Sequence, residues 1–311
     1  MKIVFCGTPQ FAVPSLAKLH AEGHELALVV TQPDRPRGRG MELALSPVKQ
    51  KALELGVPVA QPEKIKDNAG FRAQLEALAP EAIVVVGYGR IIPHWMLALP
   101  KFGNINLHAS LLPKYRGAAP IQWAIANGES VTGNTTMLLN EGLDTGDILL
   151  QKQMPVQPGD TSLTLAPPLA AMGADLLLET LQRLADGSLA PQPQEHSLHT
   201  LAPILSKDDG RVKAHQLARA IHDRFRGFQP WPGIFASFRG KQFFLREMRL
   251  AGESFAQPAG TLVAGSGHLY LVCAEGSALE LLEVQMEGKK RMTAVEFLNG
   301  YRLQPGEGIT F

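Results

Sequence analysis

Hydrophobic and polar positions follow two different periods along the first part of the chain. Short apolar runs, among them Lys2–Phe5, Leu26–Val30 and Ala82–Val86, alternate with stretches of helical spacing such as Val13–Ala21. Strands that alternate with helices predict a parallel α/β sheet with right-handed crossover connections. The run Ala82–Val86 has no polar residue, which is typical of a central parallel strand that is buried on both faces.

Further elements are predicted in the same part of the chain. Three more helices are expected, at Pro47–Leu55, Phe71–Leu78 and Pro120–Ala126, and strands at Val57–Val59 and Thr132–Leu139. The longest helical pattern, Thr161–Leu184, contains Pro167 and Pro168. Because proline lacks an N–H and clashes with the preceding turn, two adjacent prolines are expected to break or restart this helix.

The second part of the chain has a different pattern. From Gly187 to about Ser206 the composition shifts to Pro, Gln, His and Ser, which predicts a linker. A helix is expected at Gln216–Phe225 and another at Ala294–Asn299. Between them lie five short apolar segments separated by turn residues, at Ile234–Phe238, Phe243–Leu245, Gly260–Val263, Leu269–Val272 and Leu279–Val284. This spacing predicts a small antiparallel barrel, and the predicted boundaries are 1–188, 189–206 for the linker and 207–311.

Composition limits the class of protein. The 311 residues are enough for two domains with cores of their own. No apolar run reaches the roughly 18 residues that span a bilayer, and the apolar part of the N-terminus is too short for a signal peptide. The two cysteines, Cys6 and Cys273, cannot build a disulfide framework or a four-ligand zinc site. A reducing, cytoplasmic setting is therefore expected, without a membrane partner and without a metal.

Positive charge is concentrated in two places, although the net charge is only +1. The stretch Lys207–Arg249 has ten Lys and Arg against four Asp and Glu, which fits a phosphate-binding surface or an ordinary solvated face. The stretch Thr31–Pro47 contains Arg35, Arg37 and Arg39 among prolines and glycines, and is predicted to be a long mobile loop. Arginine is suited to bidentate contacts with phosphates, so a role in nucleic-acid binding is favoured over a loop without a function.

Candidate chemistry centres on the stretch Gly103–Gly117. Polar residues stand at alternate positions there, namely Asn104, Asn106, His108 and Ser110, and alternation on a strand places them in one row. A solvated strand face would show the same alternation. An amide, an imidazole and a hydroxyl at the end of a strand are nevertheless well placed to act on a carbonyl group.

Three other segments are expected to lie near that row. Ligands of open α/β sheets lie at the carboxyl ends of the strands, which would bring the Gly7 turn and the Gly87–Arg90 loop to the same crevice. In the Gly-punctuated loop at Gly142–Asp147, Asp144 is the better candidate to meet His108. Asp147 is expected to cap backbone N–H groups of its own loop.

Six motifs, in this order, resemble those of the methionyl-tRNA formyltransferase family. They are FCGTP (Phe5–Pro9), TQPDRPRGRG (Thr31–Gly40), NLHASLLPKYRGAAPIQWA (Asn106–Ala124), GLDTGD (Gly142–Asp147), QPWP (Gln229–Pro232) and GKKRM (Gly288–Met292). The stretch Ser110–Gly117 is shared with other formyltetrahydrofolate-dependent transferases. The arginine-glycine loop together with the C-terminal module narrows the resemblance to the tRNA enzymes.

The resemblance implies a fold, a reaction and a set of site residues. The fold would be a Rossmann-like parallel-sheet catalytic domain followed by an OB-like C-terminal β-barrel. The reaction would move a formyl group from 10-formyltetrahydrofolate to the α-amino group of methionyl initiator tRNA, without a metal, for translation initiation. The implied catalytic residues are Asn106, His108 and Asp144; the implied folate-binding residues are Ser110, Leu111, Leu112 and Pro113 with Gly87, Tyr88, Gly89, Arg90 and Ile91; and the implied tRNA-binding residues are Arg35, Arg37, Arg39, Met41, Lys289, Lys290 and Arg291.

Some points depart from the family pattern or stay open. Met41-Glu42 follows the arginine-glycine run, where relatives often carry further basic residues. A transferase acting on another amine, a hydrolase that releases formate from the same folate, and an RNA-binding protein without catalysis remain alternatives. A monomer is expected.

Overall fold

The computed structural model describes residues 1–37, 42–213 and 215–310. The chain divides into two compact units. The first consists of Met1–Pro120, Val131–Pro155 and Thr164–Pro203, and the second of Ile121–Ser130, Val156–Leu163 and Ile204–Phe311. The boundaries expected from the sequence, at 188/189 and 206/207, stay predictions.

The strands of the first unit are, in chain order, β1 (Lys2–Gly7), β2 (Glu25–Val30), β3 (Arg35–Arg37), β4 (Glu42–Ala44), β5 (Val59–Ala60), β6 (Ala82–Val86), β7 (Asn104–His108), β8 (Val131–Leu138) and β9 (Ile148–Pro155). Seven of them form one sheet in the order β5-β2-β1-β6-β7-β8-β9. The pairings from β5 to β7 are parallel, whereas β8 is antiparallel to both β7 and β9. The predicted α/β class with a parallel sheet is confirmed, and β9 is an addition that the sequence pattern did not indicate.

The order of the strands sets the position of a ligand crevice. From β1 the chain builds the sheet in one direction through β2 and β5, and in the other direction through β6 and β7. Such a reversal leaves a crevice at the carboxyl ends of the two central strands. The segments that follow β1, β6 and β7 all begin at this edge.

The helices are, in chain order, α1 (Val13–Ala21), α2 (Pro47–Glu54), α3 (Ala69–Leu78), α4 (His94–Leu97), α5 (Pro120–Ala126), α6 (Ser162–Ala185), α7 (Ala218–Gly227) and α8 (Ala294–Tyr301). In the first unit, two apolar cores lie on the two faces of the sheet. One contains Phe5, Leu16 and Leu177, and the other contains Leu28 and Tyr88. Strand β6 contributes to both cores, which explains its unbroken apolar sequence.

The prediction that two prolines break the long helix is wrong, because α6 runs through Pro167 and Pro168. Proline fixes φ at a helical value, so the backbone torsion suits a continuous helix, although the ring crowds the carbonyl one turn earlier. The residues one turn earlier, Leu163 and Thr164, are exposed to solvent, so the two proline rings lie on an open side of the helix. Leu165 and Leu169, on the other side, are buried and anchor the helix.

The prediction of a loop without regular structure at Thr31–Pro47 is also corrected. Strands β3 and β4 pair as an antiparallel ribbon in which Pro36 lies opposite Leu43. Each strand of a two-stranded ribbon has one side that makes no ladder hydrogen bonds. A proline, which lacks an N–H, is tolerated where its nitrogen faces that side. Residues 38–41 lie outside the described residues.

The second unit contains β10 (Ile234–Phe238), β11 (Lys241–Leu250), β12 (Leu262–Gly265), β13 (His268–Val272), β14 (Ala278–Met286) and β15 (Met292–Thr293). They form one antiparallel sheet in the order β10-β11-β14-β13-β12, with β15 beside β14. The chain's last residues connect its two edge regions, since Thr310 bridges to Ser237 in β10 and Gly308 bridges to Thr261 just before β12. This closure around an apolar core agrees with the expected small antiparallel barrel.

Candidate active site

The ring of His108 is oriented by a backbone carbonyl. His108 is the last residue of β7 and is 6% exposed, and its Nε2 lies 2.8 Å from the carbonyl oxygen of Tyr115. A carbonyl only accepts hydrogen bonds, so Nε2 carries a hydrogen and donates it. Tyr115 has a φ of +62°, and its N–H donates to Thr200 Oγ1 at 2.9 Å. The other ring nitrogen, Nδ1, is therefore the one that faces Asp144.

The carboxylate of Asp144 lies between the amide of Asn106 and the ring of His108. Its Oδ2 accepts the N–H of Gly117 at 2.8 Å and lies 3.7 Å from His108 Nδ1. Its Oδ1 lies 3.5 Å from the Nδ2 of Asn106. The side chains of Asn106, His108 and Asp144 are 9%, 6% and 12% exposed, respectively, so the cluster is largely shielded from water. The separations of Asp144 from Asn106 and from His108, at 3.5 and 3.7 Å, are longer than a strong hydrogen bond. These side chains can therefore interact with a reacting group as well as with each other.

The other two polar residues of the alternating row do not join this cluster. Asn104 donates from Nδ2 to the carbonyls of Met96 and Leu97, each at 3.0 Å, at the end of α4. Ser110 is fully buried and donates to the carbonyl of Lys114 at 2.7 Å. The expected row of four is thus corrected to a pair, because β7 is buried along its whole length and its first polar side chain satisfies the open carbonyls of a helix end.

The expected folate segment Ser110–Pro113 has a firmly held backbone. Thr135 Oγ1 donates to the carbonyl of Ser110 at 2.7 Å and accepts the N–H of Leu112 at 3.1 Å. Gln151 Nε2 donates to the carbonyl of Leu112 at 2.8 Å. Leu112 is buried, whereas Leu111 and Pro113 are partly exposed. Hydrogen bonds from two neighbouring strands fix the path of this segment.

The second expected folate segment, Gly87–Ile91, makes a tight turn after β6. Gly87 and Gly89 have φ values of +56° and +73°, which other residues rarely adopt. Tyr88 points into a core, where burial raises the pKa of its hydroxyl, and its carbonyl accepts Gln32 Nε2 at 2.8 Å. Ile91 is 90% exposed. Arg90 donates to the carbonyl of Glu63 at 2.5 Å. The segment therefore presents an exposed aliphatic side chain beyond the carboxyl end of β6.

The residues expected to contact tRNA are described only in part. Arg35, Lys289, Lys290 and Arg291 are exposed, and Arg291 also lies 3.3 Å from a carboxylate oxygen of Glu283. Only the backbone of Arg37 is described, and Arg39 and Met41 lie outside the described residues. The roles of all seven residues stay predictions, as do those of the catalytic and folate-binding residues.

Several residues that shape the cluster were missed by the sequence reasoning. Tyr115 and Gly117 act through backbone groups, and Gln194 and Thr200 come from the segment that was expected to be a linker. The position of Gly117 at the end of the motif Ser110–Gly117 was an available signal. Nothing in the sequence around Gln194 indicated that its amide would reach the Gly142–Asp147 loop.

Comparison with known proteins identifies the family. Residues 1–181 match the family model of formyl transferases, and residues 204–302 match the model of the formyl transferase C-terminal domain. The chain belongs to the formyl transferase family. It is 61% identical to the methionyl-tRNA formyltransferase of Koribacter versatilis, over 97% of this chain and 96% of the relative. It is 58% identical to that of Acidobacterium capsulatum, over 98% of each.

Among solved structures, the fold is similar to that of an N-formyltransferase from Helicobacter canadensis in complex with folinic acid and dTDP-3-aminofucose. The TM-score is 0.67 at 17% identity, and the similarity covers 92% of this chain and 99% of that one. In the described parts of the chain, no helix is long and apolar enough to cross a membrane. Within the same residues, no group of three or more His, Cys, Asp and Glu side chains is arranged to hold a metal ion.

Proposed function

We propose that this formyl transferase moves the formyl group of 10-formyltetrahydrofolate to the α-amino group of methionyl initiator tRNA, giving formylmethionyl-tRNA for translation initiation. The observation that carries the proposal is the meeting of Asn106, His108 and Asp144 at the end of β7, in a chain 58% and 61% identical to two methionyl-tRNA formyltransferases. The folinic acid in the related N-formyltransferase supports a folate as donor. Because translation begins in the cytoplasm, a tRNA substrate supports a cytoplasmic location for the protein.

The first chemical requirement is stabilisation of negative charge on the formyl oxygen. The amine attacks the formyl carbon and gives a tetrahedral species with an oxyanion, and fixed hydrogen-bond donors lower its energy most effectively. Asn106 Nδ2 is one such donor. His108 is the other, because its Nε2–H is committed to Tyr115 and a protonated Nδ1 faces the same space.

The second requirement is movement of protons. The attacking amine must be neutral and must lose a proton as the new C–N bond forms, and the folate nitrogen gains one as it leaves. The carboxylate of Asp144 can accept the amine proton, directly or through water, while it holds the imidazole of His108 in place. The protonated His108 Nδ1 gives its proton to the departing folate nitrogen and then regains one from Asp144, so the proton lost by the amine balances the proton gained by the folate, and no covalent intermediate with the protein is needed.

Binding of the two substrates is assigned to separate surfaces. We assign the folate to the segments Ser110–Pro113 and Gly87–Ile91, which follow β7 and β6 at the same edge of the sheet. We assign the tRNA to the ribbon formed by β3 and β4, which contains Arg35 and Arg37, and to the exposed cations Lys289, Lys290 and Arg291. Contacts of cations with phosphates make binding strongly dependent on salt.

A comparison of acceptors tests the proposal. Purified protein is incubated with 10-formyltetrahydrofolate and either methionyl initiator tRNA, the uncharged tRNA or free methionine, and formylated product and free formate are measured together. Formylation of the charged tRNA alone is the expected result. Steady release of formate without transfer would instead identify a hydrolase, and neither product would favour an RNA-binding protein without catalysis.

A further inference from the structure

A buried polar side chain lies behind the Gly142–Asp147 loop and uses all of its hydrogen-bonding groups. Gln194 is 5% exposed, although it belongs to a segment rich in Pro, Gln and His. Its Nε2 donates to the carbonyls of Asp144 at 2.9 Å and of Gly146 at 2.7 Å. Its Oε1 accepts from Arg116 Nε at 3.1 Å and Nη2 at 2.6 Å. A side-chain amide has two donor hydrogens and one oxygen, so nothing is left unpaired.

Arg116 connects Gln194 to the other side of the candidate site. It precedes Gly117, whose N–H binds the carboxylate of Asp144, and it follows Tyr115, whose carbonyl orients His108. The backbone of Arg116 pairs with the chain beyond Gln194, since its N–H donates to the carbonyl of Thr200 at 2.9 Å and its carbonyl accepts the N–H of Ala202 at 2.7 Å. The segment from Gln194 to Ala202 thus holds both loops that carry the cluster.

The guanidinium of Arg116 is buried together with the amide of Gln194. Arg116 is 5% exposed, and its guanidinium lies within hydrogen-bond distance of Gln194 Oε1 and of His196 Nδ1, the latter at 3.0 Å. Burying a cation against neutral partners is costly, and a well-packed apolar residue would usually be at least as stable. The guanidinium fork nevertheless fixes the amide of Gln194 in one orientation, with its NH₂ group toward the loop.

The loop that Gln194 holds needs such support. Asp144 has a φ of +50°, in the left-handed region that only a small fraction of non-glycine residues adopt. Conformations of this kind persist where the surroundings determine them. The carbonyl that Gln194 binds belongs to the same residue whose carboxylate faces Asn106 and His108.

We propose that Gln194 and Arg116 are positioning residues that hold Asp144 in its reactive orientation, so that the expected linker segment is part of the active-site framework. The inference rests on the proposed function for the role of Asp144 in turnover. Its structural part, that Gln194 fixes the loop Leu143–Asp147, can be measured without turnover.

The test uses the full chain and the variant Gln194→Glu. A carboxylate keeps the size of the side chain and the acceptor for Arg116, but it removes both hydrogens donated to the loop. The matched control is Asn134→Ala, because Asn134 is also a fully buried amide, in β8, and donates to the carbonyl of Leu169 at 2.7 Å, away from the loop. Formyl transfer kinetics with methionyl initiator tRNA and amide hydrogen exchange of residues 143–147 are measured for both variants and the parent.

For Gln194→Glu we expect kcat to fall about 10- to 100-fold, as for a small misplacement of a reacting group, with KM for both substrates within about threefold of the parent. The amides of residues 143–147 should exchange faster, and Asn134→Ala should show neither effect. An unchanged kcat, unchanged exchange, or an equal loss of kcat in Asn134→Ala would overturn the inference. If the parent transfers no formyl group, the proposed function fails, and hydrogen exchange alone then decides whether Gln194 holds the loop.

Discussion

Gly117 is the position where a single methyl group should disturb the candidate site most directly. A Cβ added there would lie 2.5 Å from the carbonyl oxygen of Ala202 and 3.0 Å from its carbon, far inside the ordinary contact distance. The oxygen cannot easily retreat, because it accepts the N–H of Ala119 at 3.1 Å. The φ of Gly117 is +125°, which is unfavourable for any residue with a side chain.

The cost of Gly117→Ala can be worked out from these two effects. A residue forced into a sparsely populated backbone conformation costs about 1–3 kcal/mol. Relief of the contact would break one or two backbone hydrogen bonds, each worth about 1 kcal/mol. A total of about 3 kcal/mol corresponds to a fall in Tm of roughly 6–12 °C, since 1 kcal/mol shifts Tm by about 2–4 °C in a domain of 150–250 residues.

The variant should also turn over more slowly, because the N–H of Gly117 would move away from the carboxylate of Asp144. We expect kcat for formyl transfer to fall about 10- to 100-fold at a temperature where the variant is folded. Gly23→Ala is the matched control: Gly23 has a φ of +76°, but a Cβ there meets nothing within 4 Å. It should lose only about 1 kcal/mol and keep its kcat.

Thermal unfolding and steady-state kinetics of the two variants decide the matter. If Gly117→Ala has the same Tm as Gly23→Ala and the kcat of the parent, then the contact with Ala202 does not destabilise the variant and the hydrogen bond to Asp144 does not affect turnover. A lower Tm with unchanged kcat would confine the role of Gly117 to stability.

Three further predictions concern other parts of the molecule. Asn106→Ala should lower kcat about 10²–10³-fold, the usual cost of one oxyanion donor, whereas Asn104→Ala on the same strand should leave kcat unchanged because its amide serves the end of α4. Lys290→Gln should raise KM for the tRNA and lower the slope of log KM against log salt concentration by roughly 1, as expected for the loss of one phosphate contact. An unchanged slope would exclude such a contact. The hydrogen bonds from Arg239 and from a backbone N–H lower the pKa of Glu307 to about 2 from its usual 4.5, so the stability that this carboxylate contributes is present above about pH 4.5 and is lost as the pH falls toward 2. NMR titration should show this pKa rising toward 4.5 in Arg239→Gln, and a titration unchanged by that substitution would remove the ion pair as its cause.

Much of the fold could be predicted because its elements carry strong periodic signals. Strand β6 and helix α1 were predicted with their observed bounds, since one is apolar throughout and the other has a clear helical face. Strand β9 was missed because its middle residues, Gln151–Gln153, are exposed at the edge of the sheet and carry no apolar alternation. The helix α6 continues through two prolines because they lie on its exposed side while Leu165 and Leu169 are packed in the core, and local propensity does not report this packing.

The candidate site was predictable only where side chains carry the chemistry. Asn106, His108 and Asp144 could be named because their residue types and their motifs indicated the reaction. The groups that orient them could not, because the carbonyl of Tyr115 and the N–H of Gly117 are backbone atoms present in any sequence. Gln194 was hidden for a different reason: its contacts join residues 48 and 78 positions away in the chain, which no local pattern reports.

Single-turnover formyl transfer by Asp144→Asn measures what the carboxylate of Asp144 contributes to the chemical step. The asparagine keeps the shape of the side chain and an oxygen that can accept the N–H of Gly117, so the variant removes the charge and the proton acceptor and little else. With both substrates saturating, and Asp147→Asn as the control from the same loop, we expect a rate at least about 10²-fold below the parent, with tRNA binding unchanged. A rate for Asp144→Asn equal to that of the parent would contradict this expectation.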